Sequence, residues 1–129
     1  MDEIRSFRDL KCWKEGVNLR KMAKPLLDRF PADEKYRLTN QLIRALRSVT
    51  NNIAEGFGRY HYQENIQFCR ISRGSLTEIQ DHFLIALEEN YITNDEYQSI
   101  DTQTEKCLAL INGYINYLRK RKSIDTDNS

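Results

Sequence analysis

Few side chains in this sequence have the types and spacing that chemistry requires. Cys12, Cys69 and Cys107 are widely separated, and His61 and His82 are the only imidazoles. Zinc needs about four converging nitrogen, sulfur or oxygen ligands, and no local spacing offers even two good ones. An odd cysteine count without a Cys-x-x-Cys pair argues against a disulfide framework and for a reducing compartment. Cys69 and Cys107 instead fall on apolar helical stripes, where a thiol behaves as a small hydrophobe. Asp81-His82 has the composition of an acid–base pair, but adjacent helix residues diverge by about 100°, so the pair reads as solvated surface. Neither histidine stands in a nucleophile motif. The sequence therefore predicts no catalytic residue, no metal site and no cofactor.

A more orderly constellation is polar. Gln41, Arg44, Ser48, Asn52, Glu55 and Arg59 follow one another in steps of three or four, which projects them onto one helical stripe about 80° wide. Ser75 and Glu78 share a face further along the chain. One reading makes Arg44, Ser48, Asn52, Glu55, Arg59, Ser75 and Glu78 a structural network across a helix–helix or subunit interface, fixing register. The other makes the Glu-Arg-Asn-Ser cluster a catalytic or ligand site. The absence of a nucleophile–base pair or metal-ligand set weighs toward structure.

These residues must be positioned by helices. The chain has 129 residues, 40% hydrophobic and 30% charged, with 5 Gly and 2 Pro, a composition too apolar for disorder and too poor in Gly and Pro for a loop-rich β-protein. No apolar run approaches the length of a membrane span, and none follows Met1 as a secretory signal would, so a cytoplasmic protein without membrane attachment is expected. The first periodic segment runs from Asp9 to Arg29, with Leu10, Trp13 and Val17 on one side and Leu19, Met22, Ala23 and Leu26 on another. A helix apolar on two sides must bury both, which predicts a homo-oligomer with Leu19, Met22 and Leu26 at its interface. Pro25 is expected to kink this helix near Lys21.

The second segment, Leu38 to Phe57, places Leu38, Leu42, Ala45, Leu46, Val49, Ile53 and Phe57 on one arc. Gly56 and Gly58 end it, one of them taking the left-handed cap conformation. Gly56-Phe57-Gly58 is no phosphate loop, since it closes a helix rather than opening one and lacks a third glycine. The third segment, Gln63 to Glu89, buries Cys69, Ser72, Leu76, Ile79, Phe83 and Leu87. Gly74 in its middle implies close approach by another helix. The fourth opens on a capping box, Thr93 with Glu96, carries Ile100, Thr104, Cys107, Ile111, Tyr114 and Leu118 as its stripe, and ends in Arg119-Lys120-Arg121-Lys122. With no strand-like alternation and short connections, the reading is an all-α, antiparallel up-down four-helix bundle. It spans residues 1–122 as one domain, with 123–129 as a disordered polar tail.

The motifs resemble a known family. Phe7-x-Asp9-Leu10-x-x-Trp13, then Phe30-Pro31-x-x-Glu34-x-Tyr36-x-Leu38-x-x-Gln41-x-x-Arg44-Ala45, Ser48-x-x-x-Asn52-Ile53-Ala54-Glu55-Gly56, Arg59 and Gly74-Ser75-Leu76-x-Glu78 are similar to the pattern of four-helix-bundle proteins encoded within intervening sequences of bacterial 23S rRNA genes. Two departures are Arg37, where glycine is usual, and Asn90 before Tyr91-Ile92, where glycine is again usual. The resemblance implies a homo-oligomer, commonly a homopentamer, without known catalytic activity. A related branch of the fold serves retroelement reverse transcriptases as an accessory subunit that binds nucleic acid and the polymerase.

Charge along the chain is more informative than its total of +1. Residues 35–73 hold seven Lys/Arg and two Glu, whereas residues 74–118 hold one Lys and eight Asp/Glu. One side of the bundle is thus expected to be basic and another acidic. Arg37, Arg47, Arg70 and Arg73, with Arg119, Lys120, Arg121 and Lys122, are the candidate nucleic-acid contacts. A repeated basic stripe can hold a phosphate backbone without reading sequence. The alternative is that basic and acidic halves face one another within or between subunits. Tyr60 and Tyr62 either stack on unpaired bases or pack onto the bundle end. The expected function is a non-enzymatic, RNA-associated or reverse-transcriptase-accessory module, whose partners are itself, RNA or another nucleic acid, or a polymerase. The alternative is a protein–protein scaffold with no nucleic-acid role.

Overall fold

The computed structural model describes residues 3–128. Four helices account for most of the chain: α1 (Lys11–Leu27), α2 (Leu38–Gly58), α3 (Tyr62–Glu88) and α4 (Asn94–Asn128). No strand occurs among the described residues. Short 3-10 turns at Phe7–Asp9 and Ala32–Glu34 precede α1 and α2.

The helix boundaries follow local hydrogen-bond chemistry. Asp9 does not open α1, because its carboxylate accepts from the backbone N–H groups of Arg5 at 2.9 Å and Ser6 at 3.1 Å and so closes the preceding turn. Pro25 lies in the last turn of α1, which runs on to Leu27; there the missing N–H removes one bond from a helix already ending. The α4 backbone continues past Lys122 to Asn128, beyond the helix end expected at residue 122. Residues 123–128 contain neither glycine nor proline to stop it. Met1, Asp2 and Ser129 lie outside the described residues.

Each helix packs on two neighbours, α1 and α3 both lying against α2 and α4. The inner stripe of α1 is Cys12, Gly16, Leu19, Ala23 and Leu26, all buried. It meets Leu42, Leu46, Val49 and Ile53 of α2, Cys69, Leu76, Ile79 and Phe83 of α3, and Ile100, Cys107, Ile111 and Ile115 of α4 in one core. Two buried hydroxyls find backbone acceptors: Ser72 Oγ donates across to the Val49 carbonyl of α2 at 2.8 Å, and Thr104 Oγ1 to the Ile100 carbonyl of its own helix at 2.8 Å, while the buried His82 Nδ1 has no partner among the described residues. Along α3 and α4, Asn65 pairs with Tyr114, Arg73 with Asn112, and Gln80 with Asp101 and Glu105. Residue numbers therefore fall along α4 as they rise along α3.

Helix α1 corrects the interface assignment. Leu19 is 0% exposed and Leu26 9%, so both belong to the core; of the three residues assigned to an interface only Met22, at 36%, reaches the surface. The opposite apolar side is partly covered within the chain, since Leu10 is buried and the Phe7 and Trp13 rings meet at 72° with centroids 5.3 Å apart.

The turns divide between expectation and surprise. Asn90 takes φ 62°, and the Tyr91 and Asn90 N–H groups donate to the Ala86 and Leu87 carbonyls at 2.9 and 3.0 Å, a Schellman cap. Thr93 and Glu96 then form the capping box in both directions. At the other turn neither Gly56 nor Gly58 has positive φ; Tyr60 carries it, at 58°. Gly56 is instead a crossing point, for a Cβ there would stand 2.7 Å from Asn65 Oδ1 and 2.9 Å from Phe68 Cβ. Gly74 is the reverse: it is exposed, and a Cβ added there would meet nothing within 4 Å, so no neighbouring helix of this chain explains it.

Opposite responses to one substitution follow. Gly56→Ala is expected to lower unfolding free energy by about 1–3 kcal/mol through overpacking. Gly74→Ala should raise it by up to about 1 kcal/mol through helix propensity. Urea denaturation of the two variants measures both signs.

Candidate nucleic-acid interface

The polar stripe separates into three parts. Ser75 Oγ donates to Ser48 Oγ at 2.8 Å, and Asn52 Nδ2 donates to both the Ser48 carbonyl and its Oγ at 2.8 and 2.9 Å. That triplet ties α2 to α3. Glu55 and Arg59 form a separate surface ion pair at 2.8 Å, with side chains 53% and 47% exposed. Glu78 turns to His82 at 3.2 Å rather than to an arginine. Arg44 makes no hydrogen bond or ion pair among the described residues and lines, with Gln41, Ser48, Ser75 and Glu78, an open cleft of about 290 Å³. Hence Ser48, Asn52 and Ser75 meet, while Arg44, Glu55, Arg59 and Glu78 do not join them. A stripe on the outer face lets long charged side chains reach water, so their burial does not occur.

The cysteines are free and buried. Burial pushes each of the three thiols up to about 12, so they stay protonated and inert. No cluster of three or more His, Cys, Asp or Glu suited to a metal occurs among the described residues.

The eight candidate cations do not form one stripe. Arg37 precedes α2 at the end where Tyr91 donates to Glu34 at 2.9 Å and Arg29 pairs with Glu96. Arg70 and Arg73 sit mid-way along α3, Arg73 donating to Asn112 at 2.9 Å. Arg119 to Lys122 gather at the opposite end, where Lys122 bonds Gln63 and the neighbouring Tyr62 holds the Arg121 proton more firmly. Arg47 faces α1, lining a cleft with Arg20, Lys21 and Lys24. Sequence reasoning missed those three residues because the helix that completes their cluster lies more than twenty positions away; their spacing on one face of α1 was the available signal.

Charge separates along the bundle as well as between its sides: α1 and α2 carry seven Lys/Arg against two Asp/Glu, and α3 and α4 seven against ten. The end built from residues 3–15, 55–64 and 115–125 carries nine Lys/Arg against six Asp/Glu. The end built from residues 24–37 and 81–96 carries four against eight. The reason is connectivity: the α3–α4 turn brings the acidic second half of α3 and first turns of α4 to one end.

At the basic end the two tyrosines differ. Tyr62 is half-buried against the core, whereas Tyr60 is 86% exposed, 6.3 Å from the Phe57 ring. The Arg59 guanidinium lies 5.1 Å over the Phe68 ring, and Tyr117, 55% exposed, stacks on Tyr114.

The family pattern of 23S rRNA-intervening sequence proteins matches residues 8–113. The chain belongs to that family. The match takes in α1 to α3 and α4 as far as Gly113, leaving Arg119 to Lys122 beyond it. A protein of unknown function from the S23 ribosomal protein family of Bacteroides thetaiotaomicron VPI-5482, known from its crystal structure, superposes with a TM-score of 0.73 at 16% identity. The likeness covers 81% of this chain and 95% of that one and shows the shared fold. No curated protein matches the chain. Within the family pattern, Arg37 lies at φ −120°, ψ −109°, outside the main β and α regions, and Asn90 meets the left-handed requirement itself. No described helix is long and apolar enough to cross a membrane.

Two outcomes test these assignments. Glu55→Ala should change stability by only about 0.3–0.5 kcal/mol, the worth of an exposed i,i+4 pair, as measured by thermal melting. Native protein at pH 8 should resist a thiol reagent that labels all three cysteines in denaturant. In the unfolded chain the thiols ionise near 9.0, but folded burial raises them to about 12. Their contribution is complete below pH 9 and falls as pH climbs from 9 toward 12, which alkaline titration of ellipticity follows.

Proposed function

We propose that this protein is a non-enzymatic, antiparallel up-down bundle that self-associates and binds RNA or another nucleic acid through its basic end. In this role it is an RNA-associated or reverse-transcriptase-accessory module of the cytoplasm, a setting suited to three free thiols. The supporting observation is the gathering of Arg119, Lys120, Arg121 and Lys122 against the turn that exposes Tyr60. Neutralised phosphates release counterions, and an exposed aromatic offers a stacking surface indifferent to base identity. In a homo-oligomer, of five copies by family resemblance, the same end would recur and its field would exceed what a net charge of +1 suggests.

A protein–protein scaffold is the second reading. Ile71, at 52% exposure, with Leu84 and Ile85 on α3, offers apolar surface suited to a protein partner.

Fluorescence titration with single-stranded RNA, structured RNA and duplex DNA at about 50 and 200 mM salt distinguishes them. Binding to single-stranded or looped RNA that weakens steeply with salt and is reduced at least tenfold in R119E/R121E is expected. No binding at the lower salt, together with an oligomeric mass by light scattering, would leave the scaffold reading standing.

A further inference from the structure

We propose that the cleft between α1 and α2 binds a single-stranded nucleic-acid segment, its phosphates on Arg20, Lys21 and Arg47 and a base on Trp13. The inference rests on the nucleic-acid reading above but assigns a surface distinct from the bundle end. Two adjoining depressions, of about 430 and 340 Å³, share Arg20 and Arg47 in their walls. Each is of a size that holds a small ligand. The first is lined by Phe7, Trp13 and Asn51, and the second by Lys21 and Lys24 above an apolar floor of Leu27 and Ile43.

Charge in this cleft is one-sided. Its one carboxylate is Asp28, which is occupied by Lys24 at 3.1 Å. Arg20 donates to Thr50 Oγ1 at 2.8 Å, a neutral partner that holds the guanidinium in place and leaves its charge uncompensated. Lys21 and Arg47 have no ion pair among the described residues. Three uncompensated cations beside an aromatic fit the combination that single strands require, a phosphate track with a stacking surface. An acidic peptide would use the cations but not the indole. Phe7 meets Trp13 at 72° and so holds the indole against rotation. From Trp13 to Lys24 the helix rises about 16 Å at about 1.5 Å per residue, room for about five nucleotides at the stacked spacing of about 3.4 Å.

Trp13 is the one tryptophan in the chain, so its emission reports this cleft. The full chain is titrated with an end-labelled eight-nucleotide oligouridylate and with uridine monophosphate, following label anisotropy and tryptophan emission together. Saturable quenching by the oligonucleotide, lost at high salt, is expected. K21E/R47E should lose the quenching with an unchanged thermal melt, while R119E/R121E, although its overall affinity falls, still shows the quenching at saturation. A rise in anisotropy with unmoved emission and undiminished K21E/R47E binding would overturn the cleft and leave the general reading intact. No anisotropy change at low salt would remove both. Equal affinity for the monophosphate would overturn the strand in favour of a free nucleotide. A fall in molar mass of K21E/R47E at unchanged RNA affinity would make the cleft a contact between copies and overturn the proposal.

Discussion

The approach of α1 to α2 at Gly16 governs much of this molecule. A Cβ at that position would meet Thr50 Cγ2 at 3.0 Å and Val49 Cγ1 at 3.2 Å, so the two helices come together where one of them has no side chain. One turn further on, Arg20 reaches the hydroxyl of the same Thr50. Close packing therefore does two things at once. It seals the core at Leu19 and Val49, and it draws a cation against α2 opposite Arg47. A bulkier residue would separate the helices, and both effects would weaken together.

The second crossing, at Gly56 against Asn65 and Phe68, organises the basic end in the same way. It lets α2 and α3 meet just before their turn, so that little chain remains to reverse direction. Tyr60 absorbs the reversal in a left-handed conformation that non-glycine residues adopt at some energetic expense. Its side chain is left in solvent beside the last turns of α4, at the end where cations outnumber carboxylates nine to six. Strain, exposure and positive charge thus coincide at one place in the fold, while the opposite end is acidic and closed by two satisfied caps.

Between these ends, hydrogen bonding and charge perform different tasks. Ser48, Asn52 and Ser75 bond one another across α2 and α3, and neutral groups of this size can be half-buried without stranding an ion. Arg44, Glu55, Arg59 and Glu78 occupy the same stripe but remain in water, where ion pairs contribute little. A stripe of uniform appearance in sequence therefore comprises a structural polar contact flanked by solvent-exposed charges.

The amino-acid sequence by itself determined the four helices, most of the inner stripes of α2, α3 and α4, the Thr93–Glu96 box and the Asn90 cap, because each depends on residues three to five positions apart. It also carried the family motifs. What it could not decide was burial that depends on distant neighbours. Leu19 and Leu26 on α1 read as a second apolar face, yet the 3-10 turn carrying Phe7 partly covers the Trp13 side and releases them to the core. The segment charges read as two sides of a bundle, and chain reversal at the α3–α4 turn added a separation between its two ends. Arg20, Lys21 and Lys24 became a cluster with Arg47 only when α1 met α2 at Gly16. Local periodicity specifies which face of a helix is apolar; only packing specifies what that face, and the charges beside it, will meet.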